Sequence, residues 1–96
     1  MSYILEACVG NYIEAKKAFA LGALRIELCD NLTEGGTTPS YGTIMQTKKS
    51  LSIPIAVIVR PRGGDFVYSQ EEIEIMQTDI ELCKKVKMNQ IQKIKI

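Results

Sequence analysis

The sequence predicts an α/β fold, a parallel β-α-β-α-β-α segment of an incomplete barrel. Three observations predict it. Short apolar runs alternate with amphipathic stretches of roughly ten to fifteen residues, the pattern of right-handed crossovers in a parallel sheet. Each strand-plus-helix unit takes roughly 25 to 30 residues, the usual size of a βαβ step. The strand runs also have two unlike faces, one wholly apolar and one carrying charge. A doubly wound sheet covers both faces with helices and prefers apolar strands throughout. A polar face fits better inside a barrel, where inward groups near the C-terminal strand ends build the site.

The first strand is expected over Ile4 to Val9. Asn11 followed by Glu14 is a capping-box arrangement and opens the first helix. Tyr12, Ala15, Ala18 and Phe19 recur at helical spacing, and Gly22 supplies the stop. The second strand runs from Arg25 to Cys29, and a polar glycine-containing loop follows, Asp30 to Gly36. Thr38-Pro39-Ser40 opens the second helix, with the proline expected in its first turn. The apolar face of that helix is Tyr41, Ile44 and Met45, extended by Leu51. Pro54 ends the connection, and Ile55 to Val59 is the third strand. Pro61 to Tyr68 is a loop. Ser69 and Glu72 form a second capping box. Ile73, Met76, Ile80 and Cys83 give the third helix its buried stripe.

The alternation inside the strands places the chemistry. Glu6 and Cys8 share a face with Ile4, and Arg25, Glu27 and Cys29 share a face of the second strand. Ala56, Ile58 and Arg60 lie opposite Ile55, Val57 and Val59. A one-residue slip in register would reverse every face.

Composition narrows the function classes. Ninety-six residues make one domain at most, with 46% hydrophobic and 24% charged residues, close to the average for globular domains. The net charge of +1 gives no field to recruit nucleic acid or an anionic membrane. The chain contains no histidine, which removes the commonest metal ligand and the commonest general base. Three cysteines, Cys8, Cys29 and Cys83, are too few for a disulfide framework, and the N-terminus has neither a basic n-region nor a long apolar run. A reducing, cytoplasmic compartment with free thiols is the expectation. The charge is uneven: from Lys84 to Ile96 there are five lysines and no acid, so the first 83 residues carry a formal −4.

Four segments carry a family resemblance. Leu5-Glu6-Ala7-Cys8-Val9, Arg25-Ile26-Glu27-Leu28-Cys29, the stretch from Glu34-Gly35-Gly36 to Ser40-Tyr41-Gly42, and Ile58-Val59-Arg60-Pro61-Arg62-Gly63-Gly64-Asp65-Phe66-Val67-Tyr68-Ser69 resemble, in this order, the CutC family of copper homeostasis proteins. The resemblance implies a TIM-type (β/α)8 barrel, of which this chain supplies the first three units. It implies a cytoplasmic protein associated with copper, with Cys8 and Cys29 at the positions of the proposed Cu(I) ligands. After the third helix the chain departs from the family pattern. A turn into a fourth strand is expected there, and residues 87–96 read instead as a divergent Lys/Ile-rich tail. The domain expectation is therefore 1–86 as the N-terminal part of the barrel and 87–96 as the tail, a truncated product.

The candidate residues divide into two groups. Soft thiolates at Cys8 and Cys29 suit Cu(I); small buried core residues are the competing reading. Cys83 belongs to a helix stripe and is expected to be core. Glu6, Arg25, Glu27, Arg60 and Arg62 are candidates to line a pocket for a small anionic ligand, or to form an ion-pair network at the strand ends. Gly35-Gly36 and Gly63-Gly64 match neither a P-loop nor a dinucleotide fingerprint. The leading expectation is a non-enzymatic copper homeostasis protein holding Cu(I) through Cys8 and Cys29. A barrel enzyme acting on a small anionic metabolite and a non-functional truncated product stand beside it. No nucleic acid or membrane partner is expected. Self-association is expected through the open edges of the first and third strands.

Overall fold

The computed structural model of the chain describes residues 5–85 and the backbone of 91–95. The elements run β1 (Glu6–Val9), α1 (Tyr12–Ala20), β2 (Arg25–Leu28), a 3-10 turn (Leu32–Glu34), α2 (Tyr41–Ser50), β3 (Ile55–Ile58), α3 (Gln70–Lys85) and β4 (Ile91–Lys95). The strands lie in the order β1-β2-β3-β4 and every neighbouring pair is parallel. The architecture is therefore the α/β segment of a barrel that the pattern of strands and helices predicts.

The local chemistry explains where the helices begin. Asn11 caps α1 by accepting a hydrogen bond from the Glu14 amide at 2.8 Å. The Glu14 carboxylate reaches back one residue further than a simple capping box and accepts from the Gly10 amide. Ser69 and Glu72 form the reciprocal version at α3: the Glu72 amide donates to Ser69 Oγ and the Ser69 amide to Glu72 Oε1. Ser40 is the N-cap of α2 and accepts from the Thr43 amide. Pro39 thus sits before the cap and not in the first helical turn, because the hydroxyl after it is the better cap.

The core lies between the helices and the apolar sheet face. Val9, Ile26, Leu28, Ile55 and Val57 meet Ala15, Ile44, Leu51 and Cys83 there. Ile26, Leu28, Ile55 and Val57 are fully buried, and each such side chain contributes about 1.5 to 3 kcal/mol. Three expected core residues lie elsewhere. Phe19 and Tyr41 are exposed, because α1 approaches β1, β2 and α2 through the small side chains Ala15 and Ala18. Ile73 is likewise exposed on α3, whose buried positions are Met76 and Cys83. Thr47 joins the interior unannounced by the apolar pattern, its hydroxyl donating to the Thr43 carbonyl.

The edge of β3 differs from expectation. Residues 91–95 form a fourth parallel strand against it, with an irregular step in register between Ile55 and Ala56. The segment carries β-branched Ile91 and Ile94, and pairing satisfies the outer backbone groups of β3. The expected boundary at residue 86 lies outside the described residues. Among the described residues, β1 has no strand on its outer side, and no helix is long and apolar enough to cross a membrane.

Candidate metal site

Two strand ends and one glycine loop build the site. Cys8 is the third residue of β1, and Cys29 follows the last residue of β2. The β1–β2 register pairs Cys8 with Glu27, which leaves Cys29 one diagonal step further along the same face. The two sulfurs lie 3.8 Å apart, and Cys8, Cys29 and Cys83 form no disulfide among the described residues. Glu27 Oε1 accepts from the Cys8 thiol at 3.8 Å. One ligand atom from each of Cys8, Glu27 and Cys29 falls within 4.8 Å of the others. Cys8 is exposed, Glu27 half-buried and Cys29 buried, so the cluster runs from the surface inward.

These residues line an open cavity of about 290 Å³ together with Glu34, Gly35, Gly36, Ile58, Arg60 and Phe66. The loop comes close because Asn31, Gly35 and Gly36 all take positive φ. At Gly36 an added Cβ would stand 3.3 Å from the Cys29 sulfur. Arg60 anchors this loop from β3's side. Its guanidinium is buried and donates through Nη1 to the carbonyls of Glu34 and Gly36, and through Nη2 to that of Gly64. The Phe66 ring covers the guanidinium at 4.8 Å from its centroid. Arg60 Nε is buried without an acceptor among the described residues.

The other charged candidates sit apart from this cavity wall. Arg25 Nε pairs with Glu6 Oε2 at 2.7 Å on the partly exposed outer part of the same sheet face. Such a solvated pair contributes little. Arg62 turns toward α3 instead of the sulfurs. It pairs with Glu72 at 2.5 Å and Asp65 at 3.2 Å, and it lies over the Tyr68 ring. Amide donation from Val67 and the Arg62 guanidinium hold the Asp65 carboxyl below its ordinary value. The Ser69 amide and the same guanidinium do so for Glu72.

Cys83 lies on the opposite side of the sheet, in the core. Burial, with a smaller contribution from Asp79, pushes its thiol upward, away from the thiolate that a ligand requires. The sequence pattern singled out both strand-end cysteines and placed Glu27 on their face. Only the inter-strand register places Glu27 directly beside Cys8.

The sequence matches the CutC family over residues 3–94. It is 52% identical over 82 residues to the human copper homeostasis protein cutC homolog, covering 85% of this chain and 30% of that protein. It is 50% identical over 84 residues to the family protein CutC of Chromobacterium violaceum, covering 88% of this chain and 34% of the relative. The chain thus spans about a third of the length of these relatives. The crystal structure of CutC from Streptococcus agalactiae superimposes with a TM-score of 0.82 at 40% identity, over 96% of this chain and 44% of that one. The family match over nearly the whole sequence places this chain in the CutC family.

Proposed function

We propose that this chain serves copper homeostasis in the cytoplasm by holding Cu(I) between the thiolates of Cys8 and Cys29. The observation that carries the reading is the 3.8 Å separation of the two sulfurs at the mouth of an open cavity. Soft thiolates favour Cu(I) over hard cations. Cys8 is exposed, so its side chain can rotate to open the pair around an ion while Cys29 stays fixed by the loop. The human relative's name, a copper homeostasis protein, supports the same cargo. A reducing compartment keeps both thiols available.

The arginines favour the copper reading over a pocket for an anionic metabolite. Arg25 and Arg62 face carboxylates, and Arg60 spends its terminal nitrogens on three backbone carbonyls. The test is Cu(I) affinity by competition with a chromogenic chelator under strict reduction. Cys8→Ser and Cys29→Ser should each abolish tight binding, and Cys83→Ser should leave it unchanged. Full affinity in either of the first two variants would overturn the reading.

A further inference from the structure

Glu27 gives this pocket a third donor that Cu(I) does not need. Its carboxylate stands across from Cys8 because the parallel register pairs the two residues, and Cys29 lies two positions along the same face. The distances within the trio are informative. A tetrahedral zinc ion with Zn–S about 2.3 Å sets its two sulfurs about 3.8 Å apart, and with Zn–O about 2.0–2.2 Å it sets sulfur and oxygen about 3.5–3.7 Å apart. Here the Cys8 and Cys29 sulfurs are 3.8 Å apart, and Cys8 Sγ lies 3.8 Å from Glu27 Oε1. Two thiolates on opposite sides of one ion, at the same bond length, would stand about 4.6 Å apart. The resting geometry therefore suits a bent arrangement with a third ligand.

We propose that Cys8, Cys29 and Glu27 form a three-donor tetrahedral site for a borderline divalent cation of the zinc class. Its fourth position is left to water or a ligand in the open cavity lined by Gly35, Gly36, Ile58 and Phe66. Three protein ligands with one open position are the arrangement of metal centres that polarise a bound molecule, whereas closed structural sites use four. Glu27 then decides which metals the pocket accepts. With the carboxylate engaged it takes a divalent ion, and with the thiolates alone it takes Cu(I). The inference rests on the paired-thiolate reading above, and Glu27 separates the two.

The experiment uses the full chain under anaerobic reduction, titrated with Zn2+ against a chromogenic chelator and with Co2+ as the spectroscopic probe. One divalent ion per chain is expected, with thiolate-to-cobalt charge-transfer bands and the intense visible bands of tetrahedral cobalt. Glu27→Gln should weaken Zn2+ by more than the roughly 10- to 100-fold that follows loss of an outer-shell partner. The same variant should change Cu(I) affinity far less than it changes Zn2+ affinity. Glu27→Asp, which keeps the charge on a shorter arm, should fall between. An unchanged Zn2+ affinity in Glu27→Gln, an octahedral cobalt spectrum, or Zn2+ binding indifferent to Cys8→Ser would each overturn the three-donor site. If Glu27→Gln lowers Zn2+ affinity while Cys8→Ser leaves Cu(I) affinity intact, the divalent site stands and the copper reading fails.

Discussion

The buried guanidinium of Arg60 holds the carbonyl of Gly36 at 3.1 Å, and a Cβ added at Gly36 would stand 3.3 Å from the Cys29 sulfur. A charge two residues past the third strand thus sets the wall of a site whose ligands come from the first two strands and their ends. Arg60→Met removes donors from three backbone carbonyls at once. Hydrogen bonds to charged groups contribute about 1.5–3 kcal/mol each, and they are not additive. We expect a loss of about 3 kcal/mol in urea unfolding, read as a lower midpoint at unchanged slope. Unchanged stability would show that the carbonyls find other donors.

Gly36 and Gly22 form a matched pair. Both have positive φ, +95° and +100°. Nothing lies within 4 Å of a Cβ added at Gly22, whereas one at Gly36 meets Cys29 Sγ at 3.3 Å. Gly22→Ala should cost only the left-handed backbone penalty, about 1–2 kcal/mol, with metal binding intact. Gly36→Ala should cost at least as much and also weaken metal binding, because the sulfur must give way. Equal metal affinity in the two variants would contradict this role for the loop.

Acid should loosen the start of α3 through Glu72 and Asp65. Their folded pKa values are depressed by the Val67 and Ser69 backbone amides and, after these, by Arg62. A depressed carboxylate contributes stability that is present above its unfolded pKa, about 4, and is lost as pH falls through the lower folded value. Glu72→Gln should flatten this acid limb. Thermal melts between pH 7 and pH 2 read the difference, and parallel pH profiles for the two proteins would refute it.

Asp79 has the opposite sign. Burial raises its pKa, beside Cys83 in a small cavity under α3. A raised carboxyl favours the fold at low pH, and that contribution disappears as pH rises through the folded value. Asp79→Asn should therefore be more stable than the native chain at pH 7 and no more stable at pH 3. A lower melting temperature at pH 7 would contradict the assignment.

Much of this was legible in the sequence, and the failures share a cause. Alternation within one strand placed Glu6, Cys8, Arg25, Glu27 and Cys29 on one face, because a strand's period is two residues. Capping residues marked the helix starts at Asn11 and Ser69 because those side chains act over three residues, whereas the second helix was expected to take Pro39 into its first turn and begins only after the Ser40 cap. What was hidden depends on a partner distant in sequence. The pairing of Glu27 with Cys8 is a matter of register between strands. The turn of Arg62 toward Glu72 depends on the path of a loop. The strand at Ile91–Lys95 depends on the free edge of β3, which no reading of its own residues contains.

The outer edge of β1 carries the expectation of self-association. Leu5 is exposed next to it, and no strand lies beyond it among the described residues. Unpaired edges recruit other chains. Sedimentation velocity should show a concentration-dependent assembly, and Glu6→Pro should reduce it, because the carbonyls of Leu5 and Val9 bond to β2 and the Glu6 amide between them faces outward. A monomer at all concentrations would remove this edge as an interface.

The central claim is that two thiolates hold the metal, and copper K-edge X-ray absorption on the Cu(I)-loaded chain tests it most directly by counting sulfurs. Two sulfurs per copper are expected in the native chain and in Cys83→Ser, and fewer in Cys8→Ser and Cys29→Ser. A copper shell without sulfur, or one that loses sulfur in Cys83→Ser, would contradict the account.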